Sequence, residues 1–219
     1  MTECLIAPST DPCALDKLND YVSDLLDCGA DWIHCDVMDG VFVEKRNFEP
    51  KNLTLLSPLK TFFDVHLMVA NPMDVIDDYI NAGANSISVH REAFTCIETL
   101  FEVILYIKSK GVRAGVALNP ATEVDSIVNI LPKVDMVLVM SVVPGKSGQA
   151  FMPSILPKIE FLNKVRKEKG YDFFIEVDGG INENTIRYVK SAGVDVAVVG
   201  SAMYKAEDKK SFIQKLKSL

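Results

Sequence analysis

The chain has 219 residues, 48 % of them hydrophobic, and a formal net charge of −7, which is enough for one large domain without disulfide or metal staples. The acidic balance and the lack of a long basic run argue against nucleic acid or an anionic membrane as partner, and no apolar run reaches transmembrane length. Five scattered cysteines without a C-x-x-C pair, and a start (Met1-Thr-Glu-Cys4) with neither basic nor apolar leader character, lead us to expect a cytoplasmic protein.

In chain order, apolar runs fall at residues 5–7, 32–33 leading into 37–38, 62–69, 87–89, 114–118, 136–140, 173–177 and 194–199. Most are continuous rather than alternating, as strands of a parallel sheet covered by helices must be. Between them apolar residues recur at helical spacing. The series are Leu15, Leu18, Val22, Leu25 and Leu26; Ile97, Leu100, Ile104 and Ile107; Ile155, Ile159, Leu162 and Val165; and Ile186, Val189 and Ala192, with Lys190 facing out. The charges from Lys164 to Lys169 read as a solvated helix face. A short repeat, Cys28-Gly-Ala-Asp-Trp-Ile33, Ala82-Gly-Ala-Asn-Ser-Ile87 and Ala192-Gly-Val-Asp-Val-Ala197, reads as a helix ending on glycine, a polar turn and a new strand. Eight strands alternating with about as many helices predict a (β/α)8 TIM barrel, with residues 1–219 as a single domain. A doubly wound sheet would carry a glycine-rich turn after its first strand, where this chain has Pro8-Ser-Thr-Asp11.

The chemistry of such a barrel sits at the C-terminal ends of its strands. Three of those ends read Ile33-His-Cys-Asp-Val-Met-Asp39, Asp64-Val-His-Leu-Met68 and Glu176-Val-Asp-Gly-Gly180. Alternate residues share a face, which groups His34, Asp36 and Met38, then Asp64, His66 and Met68, then Glu176 and Asp178. Two histidines and two carboxylates at three strand tips suit one divalent metal ion, Zn2+, Fe2+, Mn2+ or Co2+. Buried charge of this density needs a partner or a metal. Asp39 before Gly40 reads as a turn. Glycines after the last three strands (Gly145 to Gly148, Gly179 and Gly180, Gly200 before Ser201 and Ala202) are candidate phosphate grips, where backbone N–H groups need close approach; Asn182 is available to cap the following helix. Gly145-Lys-Ser147 also matches the end of a nucleotide P-loop. The first glycine of that motif would fall at position 140, which is Met, and Pro144 lacks an N–H, so the match is one of chance.

With these residues in place, the chain resembles the ribulose-phosphate 3-epimerase family over nearly its whole length. The resemblance is carried by Ile6-Ala-Pro-Ser9, Gly29-Ala-Asp-Trp-Ile-His-Cys-Asp-Val-Met-Asp-Gly40, Asp64-Val-His-Leu-Met-Val69, Gly83-Ala-Asn85, His90-Arg-Glu-Ala93, Leu118-Asn-Pro120, Val139-Met-Ser-Val142, Glu176-Val-Asp-Gly-Gly180 and Gly200-Ser-Ala202. It implies a TIM barrel with one divalent metal on His34, Asp36, His66 and Asp178. Asp36 and Asp178 would be the acid–base pair, converting D-ribulose 5-phosphate to D-xylulose 5-phosphate through an ene-diolate, in the pentose phosphate pathway. Met38, Met68 and Met140 would wall the intermediate, Ser9 and His66 would contact the sugar, and Gly148, Gly179, Gly180, Gly200 and Ser201 would hold the phosphate. A homo-oligomer is expected.

Two stretches depart from the family pattern. Pro144-Gly-Lys-Ser-Gly-Gln149 stands where the family reads P-G-F-G-G-Q, and Val41-Phe-Val-Glu-Lys-Arg-Asn47 where it reads like H-F-V-P-N. Both add cations at the expected mouth, which brings in a 3-epimerase for another ketose phosphate, such as D-allulose 6-phosphate, as the alternative. A barrel that binds a phospho-sugar without turnover is a further one. The D-x-K-x-x-D pattern of phosphoketose decarboxylase barrels is absent, since position 38 is Met.

Overall fold

The computed structural model describes residues 4–219; residues 1–3, part of the start read above as leaderless, lie outside the described residues. The strands are β1 (Leu5–Pro8), β2 (Trp32–Asp39), β3 (Arg46–Asn47), β4 (Phe62–Met68), β5 (Ser86–His90), β6 (Arg113–Leu118), β7 (Met136–Met140), β8 (Phe174–Asp178) and β9 (Val196–Val199). Their order in the sheet is β1-β9-β8-β7-β6-β5-β4-β2-β3. A parallel bridge between Ser9 and His34, with Thr10 N donating to His34 O at 2.9 Å, joins β1 to β2 and closes the ring. The eight predicted strands are therefore the barrel. The ninth, β3, is a two-residue antiparallel addition at the tip of β2; its Arg-Asn sequence carries no apolar signal.

The helices are α1 (Leu18–Asp27), α2 (Pro50–Leu56), α3 (Ile76–Ala82), α4 (Ile97–Ser109), α5 (Leu156–Lys169), α6 (Ile186–Ala192), α7 (Ser201–Lys205) and α8 (Lys209–Ser218). None is long and apolar enough to cross a membrane. The predicted stripes, such as Leu18, Val22 and Leu25 or Leu100, Ile104 and Ile107, are buried in the layer between helices and barrel, where each large apolar side chain contributes roughly 1.5–3 kcal/mol; Leu15, read with the first of them, is instead exposed in a 3-10 turn before α1. Between β6 and β7 two 3-10 turns (Val124–Ser126 and Val128–Ile130) replace the α-helix. This segment is rich in β-branched residues, which lose rotamer freedom in a helix, and its turns already bury Val124, Ile127, Ile130 and Leu131. Two basic residues depart from the outward reading. Lys190 Nζ donates to Leu216 O and Lys217 O at 3.3 and 2.8 Å, satisfying the end of α8. Arg166 pairs with Asp195 and donates to Phe173 O at 2.8 Å.

The αβ repeat acquires a mechanical role. Gly83 and Gly193 end α3 and α6 in the left-handed region. The polar residue two positions later then clasps a neighbouring strand: Asp31, Asn85 and Asp195 accept from Ile6 N, Phe63 N and Ile175 N at 2.7–2.8 Å. Asp135 does the same for Ala114 N at 2.9 Å. Inside the barrel, at this same N-terminal end, Trp32, Phe62 and Phe174 form a floor, with the Arg113 guanidinium 5.2–6.0 Å from the three ring centroids.

Candidate active site

Alternation along the strands turns one polar set inward above that floor. His34, Asp64, His66, Ser88, His90 and Glu176 are fully buried, and Asp36 nearly so. Room for them comes partly from Gly115 on β6, where a Cβ would lie 2.2 Å from Ser88 Oγ.

His34 Nδ1 lies 2.7 Å from Asp64 Oδ2. A carboxylate only accepts, so Nδ1 carries a proton. The other nitrogen, Nε2, lies 3.3 Å from Asp36 Oδ1 but without hydrogen-bond geometry to any partner. His66 Nδ1 lies 3.2 Å from the same Asp36 oxygen, while its Nε2 lies 2.8 Å from His90 Nε2. Asp36 Oδ2 accepts from Ser9 Oγ at 2.6 Å. One donor atom from each of His34, Asp36, His66 and Asp178 falls within 4.8 Å of the other three. An orphaned buried imidazole nitrogen facing carboxylate oxygens is the donor set of a divalent cation, so these residues fit the metal expected from sequence. Asp64 and Glu176 also approach His34, but there Nδ1 is engaged with Asp64, and the pair reads as support for the ring.

The electrostatics push the two aspartates apart. Burial, reinforced by the charge of Asp36, pushes Asp178 up to about 7. Burial acts on Asp36 too, but the neighbouring His34 outweighs it and holds its carboxyl well below the usual range. Burial pushes His66 down to about 4, which leaves it neutral. Burial likewise opposes charge on His34, but Asp36, Asp64 and Glu176 outweigh it and raise its pKa. The site thus calls for positive charge at His34 Nε2, and either a proton or a metal ion supplies it.

Above these groups opens a cavity of about 220 Å³. Ser9, Asp36, Met38, Met68, Met140, Gly148, Asp178, Gly179, Gly180, Gly200 and Ser201 all line it, so the expected substrate and phosphate residues come together except His66, which was expected to contact the sugar but lies buried beneath with His34. Ser9, expected against the sugar, already spends its hydroxyl proton on Asp36. Gly179 and Gly180 have φ of +123° and +65°, and a Cβ on either would lie 2.5 Å from Val142 Cγ2 or Phe151 N. Their backbone therefore sits closer to the loop after β7 than any side chain permits. Asn182 caps no helix; its side chain accepts from Asn184 N at 2.9 Å within the turn. Asp39 is the turn residue it was read as, accepting from Val41 N and Phe42 N at 2.8 Å and from Ala70 N at 2.7 Å.

Sequence reasoning overlooked three contributors. Ser141, fully buried, donates through Oγ to Asp178 O and Gly179 O at 2.9 and 2.6 Å and pins the turn that carries Asp178. Asp11 lines the cavity and is held by Lys45 and by Asn47 Nδ2 at 2.8 Å. Glu92, quoted above only as part of a motif, faces His90 Nδ1 at 3.0 Å through Oε2. The two departing loops also meet: a Cβ on Gly145 would lie 2.9 Å from Val43 Cβ.

Comparison with known proteins agrees with this arrangement. Residues 5–204 match the ribulose-phosphate 3 epimerase family profile. The ribulose-phosphate 3-epimerase of Bacillus subtilis is 41 % identical over 214 residues, covering 97 % of each chain. That of Synechocystis is 40 % identical over 203 residues, covering 92 % of this chain and 88 % of its own. Among solved structures, 3-keto-L-gulonate-6-phosphate decarboxylase from Vibrio cholerae superposes with a TM-score of 0.74 at 13 % identity, covering 99 % of this chain and 97 % of that one. The 3-hexulose-6-phosphate synthase of Salmonella typhimurium gives 0.71 at 19 %, covering 98 % and 97 %. These structural likenesses establish the TIM-barrel fold alone, while the sequence matches go further: the chain belongs to the ribulose-phosphate 3-epimerase family and is an isomerase of the epimerase class.

Proposed function

We propose that this enzyme interconverts D-ribulose 5-phosphate and D-xylulose 5-phosphate, a step of the pentose phosphate pathway, by two-aspartate acid–base catalysis. The observation that carries the reading is the pair Asp36 and Asp178, set on one cavity floor with proton affinities driven in opposite directions. Epimerisation at C3 removes a proton from one face of the carbon and returns one to the other. One ionised and one protonated carboxyl, exchanging roles in the reverse direction, meet that need. Ser9 fixes the orientation of Asp36, and Ser141 fixes the turn carrying Asp178. Met38, Met68 and Met140 exclude water from the ene-diolate. A divalent ion, Zn2+, Fe2+, Mn2+ or Co2+, held by His34, Asp36, His66 and Asp178 would supply Lewis-acid stabilisation of the negative charge that builds on the substrate oxygens. Gly148, Gly179, Gly180, Gly200 and Ser201 supply backbone N–H groups for the phosphate, and Lys146 is the one lysine or arginine lining the cavity among the described residues.

The deciding measurement is proton NMR of ribulose 5-phosphate with metal-loaded enzyme in deuterated water. Deuterium appears at C3 on this reading, and its absence rejects it. Measured turnover would likewise reject a barrel that only binds its ligand, and elemental analysis of protein purified without chelator identifies the ion. The contact between the two altered loops at the mouth, Val43 on Gly145, favours a second reading, a 3-epimerase for a longer ketose phosphate such as D-allulose 6-phosphate. Relative kcat/KM on the two sugars separates them. A cytoplasmic location is part of the reading, supported by five unpaired cysteines. So is a homo-oligomer, for which the exposed Val41 and Val143 near the mouth offer apolar surface; sedimentation tests it.

A further inference from the structure

We infer that Glu92 is a positioning residue: acting through His90, it fixes the proton of His66 on Nε2 and so keeps His66 Nδ1 free as a lone pair for the metal. The inference rests on the metal reading of the site given above.

The chain of contacts starts near the surface. Glu92 Oε1 accepts from Asn119 N at 2.8 Å, and Oε2 lies 3.0 Å from His90 Nδ1. The loop carrying Asn119 is itself anchored, since the buried Lys158 Nζ donates to Pro120 O at 2.6 Å. A carboxylate has no proton to give, so the proton in the Glu92–His90 contact belongs to His90 Nδ1. With its proton on Nδ1, His90 offers Nε2 as the acceptor. That nitrogen lies 2.8 Å from His66 Nε2, and two nitrogens at this distance share one proton, which here comes from His66. The neutral His66 ring is left with a bare Nδ1, 3.2 Å from Asp36 Oδ1. Two acceptors facing each other at that distance leave a place for a cation between them. Both rings are fully buried and tilted only 28° from parallel, so no bulk water resets the assignment. His34 is oriented by a carboxylate directly, through Asp64; His66 is oriented by one at a remove, with His90 as the spacer. Outer partners of this kind typically change metal affinity about 10- to 100-fold.

The three histidines of the chain are His34, His66 and His90, so a long-range proton–nitrogen NMR spectrum of metal-free, 15N-histidine-labelled protein reports every tautomer. The wild type should show His66 protonated at Nε2 and His90 at Nδ1. In Glu92→Gln the amide oxygen stays on Asn119 N–H and the NH2 group turns to His90 Nδ1. His90 must then carry its proton on Nε2, and His66 on Nδ1, where it blocks the metal. The expected result is that inversion, together with a Zn2+ affinity lowered about 10- to 100-fold in competition with a chromophoric chelator, while circular dichroism stays native. His90→Gln keeps an acceptor for His66 Nε2–H, and so should retain the His66 tautomer and most of the affinity. If Glu92 served only to hold the fold, both variants would weaken binding alike with the tautomer unmoved. The inference is overturned by wild-type His66 protonated at Nδ1, or by Glu92→Gln with wild-type tautomers and affinity. Wild-type protein that binds no Zn2+ would overturn the metal reading instead, and the tautomer spectra would still decide the relay.

Discussion

The two ends of the barrel use aspartate in opposite ways. At the N-terminal end Asp31, Asp135 and Asp195 each accept from a strand N–H and each pair with a cation, Lys217, Lys108 and Arg166 in turn. At the C-terminal end the Asp36 carboxylate faces the ring nitrogens of two histidines, at 3.3 Å for His34 Nε2 and 3.2 Å for His66 Nδ1, and the Asp178 carboxylate borders an open cavity. The lower carboxylates are satisfied within the protein. The upper ones are left with unmet demand, which a metal and a substrate can fill. An aspartate therefore gains its role in this fold from the completeness of its partners.

Removing carboxylates from the two ends should separate activity from stability. Asp178→Asn is expected to lower kcat by about 10³-fold, the scale of a lost acid–base group, with an unchanged or higher thermal midpoint; a stopped or coupled assay beside a melting curve checks both. Asp195→Ala should do the reverse. It leaves Ile175 N without a partner and Arg166 without its carboxylate, and should cost about 2–3 kcal/mol in urea denaturation, while the folded fraction keeps its kcat.

Smaller effects sharpen the contrast. Asp178 is pushed up to about 7, so below pH 7 its proton competes with a metal ion. Apparent metal affinity should fall by about tenfold or more per pH unit below that point, and should still rise above it while His34, whose pKa is also raised, sheds its proton, as calorimetric titration across pH will show. The smallest effect belongs to Lys146, exposed at the rim. Lys146→Ala should raise KM for the phosphorylated sugar by about two- to fivefold, the scale of a solvated charge, and leave kcat alone. An unchanged KM means that Lys146 faces only solvent.

The strands and the site carboxylates are legible in the sequence for a common reason. Residues on β2, β4 and β8 alternate with period two against continuous apolar partners, so the inward set His34, Asp36, Asp64, His66, Glu176 and Asp178 can be picked out locally, and the family resemblance then singles out four of them as ligands. What is not legible depends on distance. The Ser9–His34 bridge that closes the ring, the grip of Ser141 on Asp178 and the meeting of Val43 with Gly145 each join segments with no shared local signal. The exchange of an α-helix for two 3-10 turns after β6 reflects what those turns bury rather than any periodic pattern. Glu92 lies between these cases: its motif is visible, but its purpose appears only once His90 and His66 are seen in contact.

The order of the sheet has a consequence for how the molecule comes into being. β1 runs its ladder with β9, Leu5 opposite Val196, and meets β2 through a single bridge. The first strand to leave the ribosome thus completes its ladder only when the last strand has been made. At about 5–20 residues per second, β1 waits roughly 10 to 40 s for its partner to be synthesised. During that interval the nascent chain carries an open edge on β2, and the last helix adds the Lys217–Asp31 tie only at the end.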